Sequence, residues 1–487
     1  MPRPKRLQRV LGGAGALLLA LVGVLLVRAN MPRQAAAPLE VPAELDDFEV
    51  DTDYALRALS DYVRFDTSAP SGVPRDPSPP LALTHLLDRY VAPMGLRYEV
   101  IEDRILLVVV PGSEPDLAPL VLLSHYDVVP VSDDEAPQWT HPPYEGVIAD
   151  GYLWGRGSID DKGATICMFE ALRDLRNIGR RPRREVRLLI VPDEEIGGRG
   201  GSGAIVARHL GVLGEPYLLI DEGSAVLDDI FPGLTLAAVA VAEKRFVTLE
   251  LSAEGEPGHS SMPRTDAATH VLSRALGRLA EYEEPTRVIE PVEQFLDRTA
   301  DHLPLGQRLV LANRWLFGGL IVDQLKAKPA TAATVRNTIA ITILRGGVKD
   351  NVIPARAVAT VNLRLLPGSD LDAMLRRIES VIGDPSVEVR VLTDWGDTPV
   401  QAMEGERWDR LEAALAATFP EAIVVPMLTP GTTDARYFAQ AGIPTFRFLP
   451  FTLDADERSR IHGIDERISI ENVEQGIRAY AYLMSLL

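Results

Sequence analysis

The hydrophobic pattern opens with one unbroken block. Val10–Val27 is an 18-residue run without a charged side chain, preceded by Arg3, Lys5, Arg6 and Arg9. A basic flank followed by an apolar run is the export pattern, and 18 residues just suffice to span a bilayer. Arg28 and Arg33 follow directly, and the small residues Ala35–Ala37 come only later. The pattern predicts an uncleaved membrane anchor, with a cleaved signal as the alternative. The basic flank places the N-terminus in the cytoplasm and the rest of the chain outside it. Pro32, Pro38 and Pro42 mark a tether, so residues 1–45 are expected to form anchor or signal plus tether.

From about Val50 the pattern alternates between two periods. Tyr54–Phe65, Pro80–Met94, Lys162–Leu175 and Gly201–Leu210 carry helical periodicity. Arg104–Val110, Pro119–Ser124, Glu185–Val191 and Pro216–Ile220 are short apolar runs bounded by turn residues, as buried strands are. Strands alternating with helices predict an α/β fold, a mostly parallel sheet with helices on both faces. Ligands of such sheets gather at the carboxyl ends of the strands. After about Ala242 the pattern changes. Phe246–Ala253, Thr338–Leu344 and Ala357–Leu365 alternate as half-buried strands and Ala267–Tyr282 as a helix, predicting an inserted α+β domain. Residues 284–333 are an extra, partly helical stretch, apolar around Trp315, Leu316 and Phe317. The α/β pattern resumes after Pro367 and ends in a helix, Glu471–Leu487. The expected division is 46–242 and 367–487 for the main domain and 243–366 for the insertion.

Composition narrows the function. With 46% hydrophobic and 24% charged residues the 487-residue chain is of globular type. A net charge of −19 argues against nucleic acid as a partner, because phosphate binding needs a basic face. Cys167 is the single cysteine, which excludes an intrachain disulfide and a cysteine-rich zinc module.

The chemistry gathers where apolar strands end. His125 and Asp127 close one strand, and a carboxylate beside a histidine is a familiar support for a metal-bound imidazole. Asp160 and Asp161 stand in Gly155–Gly163 ahead of a helix. Asp193, Glu194 and Glu195 follow the Glu185–Val191 strand, and Asp221 and Glu222 the next one. Such acids at buried strand ends are costly unless a cation sits there. His462 lies near the C-terminus. Carboxylates and imidazoles without thiolates suit zinc, manganese or cobalt, and the set fits a two-metal hydrolase. Adjacent glutamates allow one to bind metal while the other serves as general base.

The blocks Ser124–Pro130, Gly155–Gly163, Pro192–Gly198 and Ile220–Gly223 resemble, in order, the aminoacylase / carboxypeptidase S family of co-catalytic zinc metallohydrolases. The resemblance implies a zinc-peptidase catalytic domain carrying an inserted lid and dimerisation domain. It implies two zinc ions per subunit, with manganese or cobalt as substitutes. His125 would bind one zinc and Asp127 would orient it. Asp160 would bridge both ions ahead of a cis peptide. Glu194 would be the general base, and Glu195 and His462 would bind the second zinc. The remaining ligand of the first zinc falls in Asp221–Glu222, and only one of the two neighbours can point inward. Gly258–Ser261 resembles a motif whose histidine, here His259, stabilises the oxyanion, often in the partner subunit's site. Asn351, Arg364 and Gly431 match substrate-binding positions, with Arg364 pairing the substrate carboxylate.

The resemblance leaves two substrate readings: N-acyl-amino acids, with the apolar insertion as an acyl pocket, or small peptides with a free carboxylate. Packing within the lid or between subunits is the plainer reading of Trp315 and Phe317. A non-catalytic binding protein on the same fold is the rival of a different class. The Gly197–Gly203 run lacks the Lys-Ser/Thr of a phosphate loop. The expected partners are a small-molecule substrate, the membrane through the N-terminal helix, and a second copy through the lid. The expected location is membrane-anchored with the catalytic domain outside the cytoplasm, or secreted if the N-terminal segment is cleaved. His85, His141, His209, His270 and His302 belong to no motif.

Overall fold

The computed structural model describes residues 19–31, 37–46, 49–68 and 81–487. Residues 19–29 are helical. The first half of the Val10–Val27 run and its basic flank lie outside the described residues. Among the described residues no helix is long and apolar enough to cross a membrane.

The main sheet has nine strands. Eight lie in the order Arg97–Ile101, Ile105–Val110, Val186–Val191, Leu120–His125, Leu218–Asp221, Thr445–Arg447, Leu234–Glu243 and Ala422–Thr429. Val226–Phe231 pairs with Leu234–Glu243 off that path. The centre, from Val186–Val191 to Thr445–Arg447, is parallel, and the pairs at the Arg97–Ile101 edge are antiparallel. Side chains alternate between two cores. Leu120, Leu122, Leu188 and Ile190 join one face, covered by the helices Lys162–Asn177 and Ile470–Leu486. Val121, Leu123, Leu189 and Val191 join the other with Ile205 and Phe438. A central strand buried on both faces reads as a continuous apolar run, which is why these strands are visible in the sequence.

A second sheet, wholly antiparallel, runs Thr338–Gly346, Arg356–Leu365, Arg245–Glu254, Val387–Asp394. The helices Ala268–Glu281 and Leu371–Ile382 build its separate core. One sequence expectation needs correction here, and one strand went unread. The α/β pattern does not resume at Pro367, because Leu371–Ile382 and Val387–Asp394 still belong to this core. Leu234–Glu243, unread in the sequence, is a strand of the main sheet; its small apolar residues carry little strand signal.

The extra stretch forms the helices Glu290–Ala300, Leu305–Ala312, Arg314–Lys326 and Pro329–Ala332 around Val292, Leu296, Ile321 and Val335. Glu290–Ala300 packs against the Ala422–Thr429 strand, and Arg298 pairs with Glu412 at 2.6 Å. The insertion therefore leans on the main domain as well as on the second sheet.

Candidate active site

The Leu120–His125 strand delivers His125 to the parallel centre of the sheet with only 2% of its surface exposed. Its Nδ1 lies 3.0 Å from the Asp127 carbonyl oxygen and 3.5 Å from the Asp127 carboxylate. A carbonyl only accepts, so Nδ1 carries a proton, and Nε2 faces Asp160 Oδ1 at 2.9 Å. The other Asp160 oxygen lies 3.0 Å from His462 Nε2, which is also 3.1 Å from Glu195 Oε1. Asp160 thus stands between two imidazoles, one oxygen to each.

Asp160 does not end a strand of the main sheet, as the run of strand ends suggested. It lies between the short strand Tyr152–Trp154, in a separate three-stranded sheet, and the helix Lys162–Asn177. The Asp160–Asp161 peptide is cis. The loop is clipped to the His462 segment by Glu466, a fully buried residue that sequence reasoning passed over. Its Oε1 accepts from the Ile159 and Asp160 amides at 3.0 and 3.3 Å, and its Oε2 pairs with Arg156 at 2.6 Å. Its signal was its place in the Ile461–Glu466 block, four residues after His462.

The turn Glu194–Ile196 is held from both ends. Asp127 Oδ1 accepts the Glu194 amide and Oδ2 the Glu195 amide, each at 3.1 Å. At the other end the Gly197 carbonyl accepts from Arg436 Nη2 at 2.6 Å and from the Tyr437 hydroxyl at 2.8 Å. Gly197 has φ +103°, where an L side chain would be strained. Arg436 is buried against Trp395, 4.3 Å from the ring centre. No motif pointed to Arg436, Tyr437 or Trp395.

Asp221 and Glu222 part company. The Asp221 carboxylate turns to the start of the Ala435–Gln440 helix and accepts the Ala435 amide at 2.7 Å. Glu222 faces the acidic cluster: burial, then the charges of Asp160 and Asp221, push its carboxyl well above the usual range. Burial and then mutual repulsion also raise Glu195, while Glu194 rises through burial despite the attraction of His125. Burial favours the neutral His125 ring, but hydrogen bonds to Asp127 and Asp160 override it and raise its pKa. The carboxylates of Asp160 and Glu195, facing the ring at 3.0 and 3.1 Å, raise His462 to about 10.

These directions describe a site short of positive charge. Two ligand-like groups lie close: Asp160, Glu195 and His462, and His125, Glu194 and Glu195, with each group's donor atoms within 4.8 Å of one another. Glu195 Oε1 is buried without a well-formed hydrogen bond. Imidazole nitrogens and carboxylate oxygens gathered this closely, with a buried carboxylate oxygen short of partners, fit a divalent cation with nitrogen and oxygen ligands.

Arg364, on the second sheet, donates to Thr432 Oγ1 at 2.7 Å and to Asn362 Oδ1 at 3.2 Å, and lies 4.5 Å over the Phe246 ring. Burial lowers its pKa, as does the charge of Arg436, while the charges of Glu243 and Glu194 oppose the shift. Glu243 is fully buried and fixes the loop that follows Gly431, accepting from the Thr433 amide at 3.1 Å and from Arg447 Nε at 3.0 Å. Gly431 itself is exposed. His259 and Asn351 stay apart from the cluster, on an exposed turn where the Ser260 amide donates to the Asn351 carbonyl at 3.2 Å. His259 Nδ1 accepts the Ser261 amide at 3.2 Å, which leaves Nε2 as the donor.

A mixed sheet with a half-buried carboxylate shared by two histidines, beside paired glutamates, is the arrangement of a metal-dependent hydrolase. Residues 121–486 match the model of peptidase family M20/M25/M40. A probable carboxypeptidase S-like 2 of Dictyostelium discoideum is 34% identical over 394 residues, 80% of this chain and 75% of the relative. The human N-fatty-acyl-amino acid synthase/hydrolase PM20D1 is 33% identical over 79% of this chain and 77% of its own length. Aminoacylase-1 of Sus scrofa is 29% identical over 83% and 90%. The M20 metallo-carboxypeptidase Sso-CP2 of Sulfolobus solfataricus superposes with a TM-score of 0.65 at 16% identity, covering 89% of this chain and 98% of its own. The chain belongs to peptidase family M20/M25/M40 and is a metal-dependent hydrolase of amide bonds.

Proposed function

We propose that the protein hydrolyses the amide bond of N-acyl-amino acids, with Glu194 as general base and two zinc ions in the cluster. The observation that supports hydrolysis beside a free carboxylate is the seat of Arg364 on the second sheet, over Phe246 and donating to Thr432 Oγ1 at 2.7 Å. A guanidinium there suits the carboxylate of the amino-acid half by its bidentate fork. His125 and Glu222 would hold one ion and Glu195 and His462 the other, with Asp160 between them; Asp221 is committed to the Ala435 amide. Zinc, when bound, supplies a Lewis acid that polarises the carbonyl and acidifies water. Glu194 takes the water proton and hands it to the leaving nitrogen. Asp127 sets the Glu194–Glu195 turn and His125. His259, donating from Nε2, would meet the oxyanion, in a partner subunit's site if it acts as the family motif implies.

The inserted unit, drawn on its own core from Arg245 to Asp394, would act as lid and dimer contact, with Asn351 on its substrate-facing turn. The Val10–Val27 run would tether the chain to a membrane, or be removed on export. Peptides are the second reading, favoured by the carboxypeptidase S-like relative. A turnover panel separates the readings: N-oleoyl- and N-acetyl-amino acids against dipeptides with a free amino terminus. Turnover confined to N-acyl-amino acids supports the first reading. Preference for dipeptides replaces it with the second.

A further inference from the structure

The chain is acidic overall, yet two of its segments are basic and apolar. Residues 1–31 carry Arg3, Lys5, Arg6, Arg9 and Arg28 and no acid. Residues 303–328 carry Arg308, Arg314, Lys326 and Lys328 against Asp323 alone. The fold brings these segments together. Asn313, fully buried between the helices Leu305–Ala312 and Arg314–Lys326, donates from Nδ2 to the Leu309 carbonyl at 2.8 Å and to the Leu25 carbonyl at 3.2 Å. That second bond spans 288 positions and seats the helix of residues 19–29 on the insertion.

The two elements present apolar side chains to solvent. Trp315 is 58% exposed, Leu320 52% and Val27 63%, and Leu305, Leu316 and Leu26 are exposed with them. Arg28, Lys326 and Lys328 are exposed on the same segments, while Arg314 is spent on Asp297. We propose that the Leu305–Lys326 helices and the 19–29 helix form one seat for an anionic lipid bilayer. An aromatic, aliphatic and cationic surface, on which Asp323 is the one acid of these helices, is what the headgroup region accepts. In the sequence, the residues just before this helix, 10–18, are apolar and uncharged. A second copy would set this patch against itself, cations facing cations. The seat stands independently of the catalytic assignment. Trp315 and Leu320 then serve as membrane contacts in place of an acyl pocket.

The test uses the full chain and phosphatidylcholine vesicles with or without phosphatidylglycerol. Brominated acyl chains should quench a tryptophan component that Trp315→Phe removes, and more so with phosphatidylglycerol present. Amide exchange across 305–326 should slow on vesicles, and that slowing should be lost in the triple variant W315S/L316S/L320S. Those three positions are exposed, and unchanged thermal unfolding confirms that the variant is folded. Unaltered exchange across 305–326 on vesicles would overturn the proposal. So would protection retained in the triple variant, or protection that appears without lipid as protein concentration rises.

Discussion

Asp127 holds the Glu194 turn: its two carboxylate oxygens accept the Glu194 and Glu195 amides, each at 3.1 Å, while its own carbonyl takes the proton of His125 Nδ1. One residue therefore sets the ring of a candidate ligand and the backbone of the candidate base. Asp127→Asn would turn an NH₂ group toward one of those amides. Turnover should fall on the order of 10–100-fold, as for other residues that orient metal ligands. Metal content by elemental analysis should fall less than activity. Wild-type turnover in this variant would remove Asp127 from the account.

The far end of the turn makes a second prediction. Tyr437→Phe removes one of two donors to the Gly197 carbonyl and should cost about 1 kcal/mol of stability. Arg436→Met strips the other and also frees the Thr433 carbonyl, which Arg436 Nη1 reaches at 2.7 Å. It should cost about 1–3 kcal/mol per stranded buried carbonyl. Denaturant unfolding measures both, and equal effects would contradict the clamp.

Arg364→Lys should raise KM for carboxylate-bearing substrates by roughly ten- to a hundredfold with kcat nearly unchanged, because hydrogen bonds to charged groups carry about 1.5–3 kcal/mol. Amide substrates lacking the carboxylate should be hydrolysed equally by wild type and variant. A fall in kcat with constant KM would reassign Arg364 to the chemical step.

Metal removal should destabilise the protein more at pH 8 than at pH 5.5. Burial and repulsion raise Glu195 and Glu222 in the metal-free fold, so stability is lost as pH rises past the unfolded value near 4.3. His462, at about 10 in the fold, contributes stability below its unfolded value near 6.5 that is lost as pH rises toward 10. The two effects share a sign. Asp160, held far down by both histidines against its burial, loses its contribution only in strong acid, below this window. Thermal scans with and without chelator at the two pH values measure the difference. A larger effect of chelation at pH 5.5 would contradict it.

The strands that lead into the candidate site are plain in the sequence because buried central strands are continuous apolar runs that end abruptly in His125, Pro192–Glu195 or Asp221. Legibility failed where tertiary contact decides. Glu466 and Asp127 act on backbone amides brought in from distant segments, and Arg436 on a carbonyl 239 positions away. The Asp221 carboxylate meets the helix start at Ala435, a contact that no local pattern supplies. Val387–Asp394 looked like a return to the main domain because a half-buried edge strand reads the same in either sheet.

The central claim is that Glu194 moves the proton and does not hold the metal, although its carboxylate lies within 4.8 Å of donor atoms of His125 and Glu195. The most direct test is Glu194→Ala with zinc content and turnover measured on the same preparation. The account predicts wild-type zinc with turnover reduced on the order of 10²–10⁴-fold, the usual worth of a general base. Turnover retained, or zinc lost along with it, would contradict the assignment.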